Sequence, residues 1–344
     1  MIKIFSDQKF VMAGIPHIEM LYPFWGIATE YDIKDQQYDR YYLEGSKLFQ
    51  ITTPSDADFS VFPMDYRHVY DNPSLKEKFD KFCSLSEKHG LTVLIFFFHD
   101  SYEKIDIENS IIFRPSFFKS ARNSNEFAMP AFCEDFIKKY NGGILGLDKK
   151  NIQPSVGFVG YAAPLSRTIF ITAYRTLRRK PPDLMNVSPI RRRSLKALSK
   201  CPDVQKNVIL RNSYFGGYNK KIRLKFKEEY IDNLFANDYT LCARGAGNFS
   251  SRFYETVSCG RIPLFINTDC VLPFDDEIDW KKYTVWVEEH QISDICEILR
   301  EFHTDISNEE FEMLQKRNRE IWEDYLSPEG FFSKMHDFLQ NYRK

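Results

Sequence analysis

The run LTVLIFFF, Leu91 to Phe98, carries one hydroxyl and no charge. A strand with one face in water would alternate apolar and polar residues, so this one needs apolar neighbours on both faces. It follows SLKEKFDKFCSLSEKHG, where Leu75, Phe79, Phe82 and Leu85 recur at helical spacing and Gly90 supplies a stop. Ahead of that helix stands another apolar run, FSVFP at Phe59 to Pro63, and a third, IKIF, occupies Ile2 to Phe5. Strand, helix and strand in that order are the building block of a parallel sheet. SIIFRPSF at Ser110 to Phe117 predicts a further strand, and AFCEDFIKKYNGG a helix closed by Gly142 and Gly143.

A polar stretch, GILGLDKKNIQP, ends in Pro154, and the alternation resumes from SVGFVGYAAP. SRTIFITAYRTLRR and KEEYIDNLFAND read as helices; KNVILR, YTLCA, IPLFIN and KYTVWV read as strands. The tail, with ISDICEILREF and NEEFEMLQKRNREIWEDYL, is helical, charged and expected to pack across both lobes. At 344 residues the chain has room for two domains of roughly 100 to 200 residues. The expected boundary lies at the polar stretch, giving domains 1–150 and 151–344.

Composition narrows the function. With 43% hydrophobic and 28% charged residues the chain is globular. Lys and Arg number 47 against 48 Asp and Glu, so nothing global draws it to nucleic acid or anionic lipid. The cysteines, 83, 133, 201, 242, 259, 270 and 296, include no CxxC pair and read as reduced, mostly buried thiols. The N-terminal residues lack the apolar core of a signal peptide, and no apolar run approaches the ~20 residues that span a bilayer. The expected location is therefore cytoplasmic, at most peripheral to a membrane.

Local chemistry concentrates in RGAGNFSSRFYETVSCG, between the strand YTLCA and the next strand. The turn lies at the carboxyl end of a strand, where open α/β sheets bind ligands. Gly245 and Gly247 allow close backbone approach, and the helix starting near Ser250 aims free N–H groups and a positive dipole end at the same point. Arg252 in its first turn and Arg244 at the strand end add charge-assisted bonds. Glu255, three residues beyond Arg252, shares its helix face and can accept both hydroxyls of a ribose. These features describe a nucleoside diphosphate site. It is not a dehydrogenase fingerprint, because the acid follows the glycines too closely.

The segment RGAGNFSSRFYETVSCGRIPLFINTDCVLPFDDEIDW resembles the exostosin family, glycosyltransferase family 47. The family pattern RGxxxxSxRxxE, then GxIP, LPF and a final Trp, is met by Arg244, Gly245, Ser250, Arg252, Glu255, Gly260, Ile262, Pro263, Leu272, Pro273, Phe274 and Trp280. TTPSDADFSVFPMDY and AMPAFCEDF are loosely similar to its N-terminal half. The resemblance implies a GT-B-type α/β fold: two Rossmann-like, doubly wound domains facing a cleft, the C-terminal one holding the sugar nucleotide. It also implies inverting, metal-independent transfer from a UDP-sugar or similar donor to a glycan or lipid-linked glycan, in polysaccharide synthesis, with no cofactor. The alternative is a non-catalytic relative that binds sugar nucleotide or glycan. The expected donor residues are Arg211, Arg244, Gly245, Gly247, Asn248, Ser250, Arg252 and Glu255, the arginines stabilising the leaving phosphate.

Inverting transfer also needs a base, expected on a loop after an N-terminal strand. Asp100, with His99, ends LTVLIFFFHD and is the first candidate; Asp7 and Asp65 have the same placement, and His17 and Glu19 are weaker. Asp56 and Asp58 mimic a metal-binding Asp-x-Asp but precede their strand. The basic run from Arg178 to Lys196 is a solvated helix face or a contact for an acidic glycan or a membrane surface. A nucleic-acid partner is not expected, as no nucleic-acid module is present.

Overall fold

The computed structural model describes residues 1–162, 189–211 and 220–342. The chain divides into two units, one of Met1–Glu134, Val271–Phe274 and Glu323–Lys344, the other of Asp135–Cys270 and Asp275–Trp322. Each is α/β and built on a wholly parallel sheet, in agreement with the two-domain class expected from the sequence.

In the first unit the strands are β1 (Ile2–Phe5), β2 (Phe49–Ile51), β3 (Phe59–Val61), β4 (Thr92–Phe96), β5 (Ser110–Arg114) and β6 (Glu126–Ala128), in the order β2-β1-β3-β4-β5-β6. The apolar run of β4 is buried on both sides. Val93, Ile95 and Phe97 join Phe79 and Phe82 of helix α1 (Lys76–Lys88), while Leu94 and Phe96 join Phe331, Phe332, Met335 and Leu339 of the C-terminal helix Pro328–Tyr342. Helix α1 ends at Gly90, whose φ of +67° suits a residue without Cβ. Beneath the edge, Arg114 and Glu126 form an ion pair at 2.7 Å with side chains 1% and 2% exposed.

The second sheet contains β7 (Ser155–Tyr161), β8 (Gln205–Arg211), β9 (Tyr239–Cys242), β10 (Ile262–Asn267) and β11 (Val285–Glu288), in the order β11-β10-β9-β7-β8. Its described helices include α2 (Phe136–Tyr140), α3 (Ile190–Leu198), α4 (Lys220–Phe235), α5 (Ser251–Ser258), α6 (Ile295–Asp305) and α7 (Asn308–Ile321). Val156, Phe158, Leu241, Leu264 and Val285 pack against Ile190, Leu198, Ile295, Leu299 and Phe311. SRTIFITAYRTLRR, read as a helix, lies outside the described residues.

Three expectations change. The division falls before Asp135 and not at 150/151. Asp135 caps α2 and takes two bonds from Arg319 of α7, at 2.9 and 2.7 Å, and Gln315 binds the backbone of Asp148, so the polar stretch is a strap on the second unit. The tail likewise splits, α6 and α7 joining the second unit and the last helix the first. Cys201 and Cys296, expected as thiols, form a disulfide between the residues following α3 and the start of α6. The remaining cysteines are thiols, and burial pushes those of Cys83, Cys242, Cys259 and Cys270 up to about 12.

Candidate functional site

In the second sheet the chain goes outward from β7 to β8, then returns to β9 and proceeds the other way to β11. The crevice at such a reversal, at the carboxyl ends of β7 and β9, is where parallel sheets hold ligands. The turn from Ala243 to Ser250 lies there, ahead of α5. Asn248, fully buried, holds it in shape: its Oδ1 accepts from Arg244 Nη1 at 3.1 Å and from Thr268 Oγ1 at 2.7 Å. Gly245 N–H donates to Phe249 O at 3.3 Å, and Gly247 is buried in the same turn.

Ser250 occupies the N-cap of α5 with extended φ and ψ, yet its side chain makes no capping bond. A serine there ordinarily accepts from the first turn. Its Oγ is buried and has no partner among the described residues. Arg252 is buried too. Its Nη2 donates to Val159 O at 2.6 Å and its guanidinium lies 4.4 Å from the Phe158 ring, while Nε and Nη1 have no acceptor among the described residues. A Cβ on Gly160 would stand 2.7 Å from Arg252 Nη2, so glycine at that position admits the arginine. Unsatisfied buried donors cost about 1–3 kcal/mol each, more when charged. Ser250 stands at the N-terminus of α5 and Arg252 in its first turn, a position suited to an anion.

One turn further, Glu255 accepts from Tyr230 OH, whose pKa is raised well above the usual value by burial and by that carboxylate. Arg211, at the end of the edge strand β8, is ion-paired with Glu229 of α4 and stacked 3.6 Å from the Phe226 ring. Its charge is thus already countered. Arg191 was missed. In IRRRSLK the three arginines look equivalent, but α3 buries Ile190, Ser194 and Leu198, which turns Arg191 inward and leaves Arg192 and Arg193 exposed. Helical phase was the signal available. The part of the basic run from Arg178 to residue 188 lies outside the described residues.

The first sheet reverses between β1 and β3. Ser6 Oγ, just past β1, donates to Val61 O at 2.8 Å. His17 pairs antiparallel with Met64 and Ile18 N–H donates to Pro63 O at 3.0 Å, which brings His17 and Glu19 beside Asp65. The Asp65 side chain is 15% exposed, and its Oδ1 accepts N–H bonds from Arg67 at 2.8 Å and Phe98 at 3.3 Å. Burial pushes its pKa up to about 7 despite Arg67, and burial also raises that of Glu19. His17 Nε2 meets Gly26 O at 2.8 Å, and burial lowers its pKa.

His99 is committed elsewhere. Its Nδ1 accepts from Ser101 N–H at 2.9 Å, its Nε2 is 3.5 Å from Asp71, and its ring stacks on Phe97. Asp100 lies in the bend beyond β4, partly exposed, one strand from the reversal. Burial draws the Asp7 pKa up, but bonds from Lys9 outweigh it and leave it below the usual value. Asp56 and Asp58 bind Thr53 and the Lys3 N–H at the amino end of β3, away from the carboxyl edge.

Residues 166–302 match the family model of the Exostosin GT47 domain, which takes in the β9–α5 turn. The chain is 31% identical over 97 residues to Exostosin-1 of Drosophila melanogaster, covering 28% of this chain and 12% of that protein. It is 26% identical over 132 residues to Exostosin-2 of Homo sapiens, covering 38% and 17%. To "Probable glucuronosyltransferase 47 A" of Physcomitrium patens it is 39% identical over 70 residues, covering 20% and 16%. The match thus spans under a fifth of each of these relatives.

Proposed function

From a chain that carries an exostosin GT47 domain, we propose a glycosyltransferase that builds polysaccharide, moving a sugar from a nucleoside diphosphate donor, a UDP-sugar, to a glycan with inversion. The observation that carries this reading is a set of buried groups with no partner among the described residues, Arg252 Nε and Nη1 and Ser250 Oγ, on the residues that begin α5 at the sheet reversal. A leaving diphosphate supplies the missing acceptors. As the bond from sugar carbon to phosphate oxygen breaks, charge grows on that oxygen, and preorganised N–H groups stabilise it without a metal. Glu255, oriented by Tyr230, is placed one helix turn on for the ribose hydroxyls.

The acceptor hydroxyl must lose its proton as its oxygen bonds to the sugar carbon. Of the acids expected as base, Asp65 is favoured over Asp100, because it stands at the first unit's sheet reversal and its burial brings its proton affinity near neutrality. Among the described residues no helix is long and apolar enough to cross a membrane. The Cys201–Cys296 bond favours an oxidising compartment over the cytoplasm.

Thermal unfolding with a panel of nucleotides and sugar nucleotides, followed by UDP release in the presence of oligosaccharide acceptors, tests the reading. A ligand that binds only the folded chain raises its stability. UDP or UDP-sugars should do so in wild type and fail in Arg252→Ala. No response to any nucleoside diphosphate would sink the donor site, and binding without turnover on any acceptor would leave a binding module.

A further inference from the structure

The strap that follows α2 has an inner and an outer side. Four of its residues hold it to the amino edge of the second sheet. A Cβ on Gly260, just ahead of β10, would stand 2.7 Å from Leu145 Cδ1, and the Asp148 carboxylate pairs with Arg261 at 2.7 Å. Lys150 Nζ donates to His303 O at 2.6 Å, and Asn151 binds Asp238, the residue before β9, through its backbone N–H at 3.2 Å and its side-chain amide at 3.0 Å. With those groups turned inward, Ile144, Leu147 and Ile152 are left outside, 71%, 43% and 102% exposed. A single exposed aliphatic is ordinary, but three so close together on the outer side of one strap mark a contact surface. Charge indicates what the contact is. Residues 138–153 carry four lysines and one acid, Asp148, in a chain of net charge -1. That acid is the one held by Arg261, while Lys138, at the end of α2, and Lys149 are exposed and make no ion pair among the described residues. Lysine is depleted at protein–protein interfaces. Aliphatic side chains beside lysines suit a lipid surface, apolar within and anionic at its headgroups.

We propose that the strap, with the end of α2 before it, docks the second unit on an anionic membrane surface, Ile144, Leu147 and Ile152 entering the headgroup region and Lys138 and Lys149 meeting lipid phosphates. The contact lies at the amino ends of β9 and β10, whereas the turn from Ala243 to Ser250 lies at the carboxyl end of β9. The two occupy opposite edges of one sheet, so a docked strap leaves the crevice open. None of the donor residues takes part, and failure of either reading leaves the other intact.

Flotation of the full chain with vesicles of phosphatidylcholine, alone or mixed with phosphatidylglycerol, tests this on wild type, I144S/I152S and K138Q/K149Q. The substituted side chains are exposed, so the melting temperature of each variant should match that of wild type. Wild type should float with the anionic vesicles and not with the neutral ones, and about 0.5 M NaCl should release it. Each double variant should lose at least about tenfold in vesicle affinity. No flotation of wild type with anionic vesicles would overturn the proposal, as would equal flotation with neutral ones. Wild-type affinity in I144S/I152S would also overturn it, by placing the membrane contact elsewhere on the chain, and wild-type affinity in K138Q/K149Q would remove the headgroup role of the lysines. Sedimentation velocity on the same proteins tests the competing occupant: a wild-type dimer that I144S/I152S turns into a monomer, without vesicle binding, would put a second copy of the chain on this face and refute the membrane contact.

Discussion

Replacing Asp65 by asparagine should stabilise the protein at neutral and alkaline pH while removing its activity. The carboxyl is 15% exposed and its pKa rises from the usual 3.8 to about 7 through burial, only partly offset by Arg67 and two N–H bonds. Below pH 3.8 the group is protonated in folded and unfolded chains alike, and nothing is at stake. Between 3.8 and about 7 the unfolded chain ionises while the folded one holds its proton, so stability falls as pH rises. Above that the cost is constant. At 1.36 kcal/mol per tenfold change in proton affinity it amounts to at most about 4 kcal/mol, of which about 2 to 3 accrues between pH 5 and pH 8. Asparagine has nearly the same shape, keeps an oxygen for the Arg67 and Phe98 N–H groups, and escapes the cost. Urea unfolding of both proteins at pH 5, 6, 7 and 8, followed for the first unit, should show the variant's advantage growing by that amount with an unchanged slope in denaturant. An advantage that stays flat or shrinks over this range would refute the burial argument. Full turnover by Asp65→Asn would refute its assignment as base and return attention to Asp100.

Three further outcomes are expected. Arg114→Met should destabilise the first unit by about 3–5 kcal/mol in urea unfolding, because it leaves Glu126 charged and buried, and adding Glu126→Gln should restore a large part. The Cys201–Cys296 bond closes a separation of 95 residues, for which chain entropy allows up to about 4 to 5 kcal/mol. Cys201→Ser should therefore lower the melting temperature of the second unit, and dithiothreitol should lower that of wild type but not of the variant. Finally, glycosyl transfer measured in excess EDTA should keep its rate, since arginines and a helix end are assigned to the leaving phosphate; a strict need for Mn²⁺ or Mg²⁺ would overturn that assignment.

The long elements were legible because burial writes itself into them. LTVLIFFF could be nothing but a strand between two layers, and Leu75, Phe79 and Phe82 announced the helix before it. Strands β2 and β6 passed unnoticed, since three residues carry no period and an edge position needs no apolar run. The turn between β9 and α5 was readable from RGAGNFSSRF because glycines followed by an N-cap serine mark the start of a helix. What failed was pairing at a distance. The Cys201–Cys296 bond, the Arg211–Glu229 pair and the His17–Met64 bridge are set by how layers stack, which no local spacing encodes. Arg191 lies between these cases: helical phase would have separated it from Arg192 and Arg193, had the run not been read as one patch.

The C-terminal helix has a consequence for the order of events during synthesis. Residues 135–322, apart from Val271–Phe274, make up the second unit and emerge from the ribosome before Pro328–Tyr342, which supplies Phe331, Phe332, Met335 and Leu339 to the core of the first. Domains tend to fold as units as they emerge. Here the unit encoded first must wait, with part of one core lacking Phe331, Phe332, Met335 and Leu339, until the later one has been made. A chain whose translation stops short of Pro328 would carry all of the second unit and a first unit with Phe59, Leu94, Phe96 and Phe113 short of their C-terminal partners, the kind of exposed apolar surface that favours aggregation.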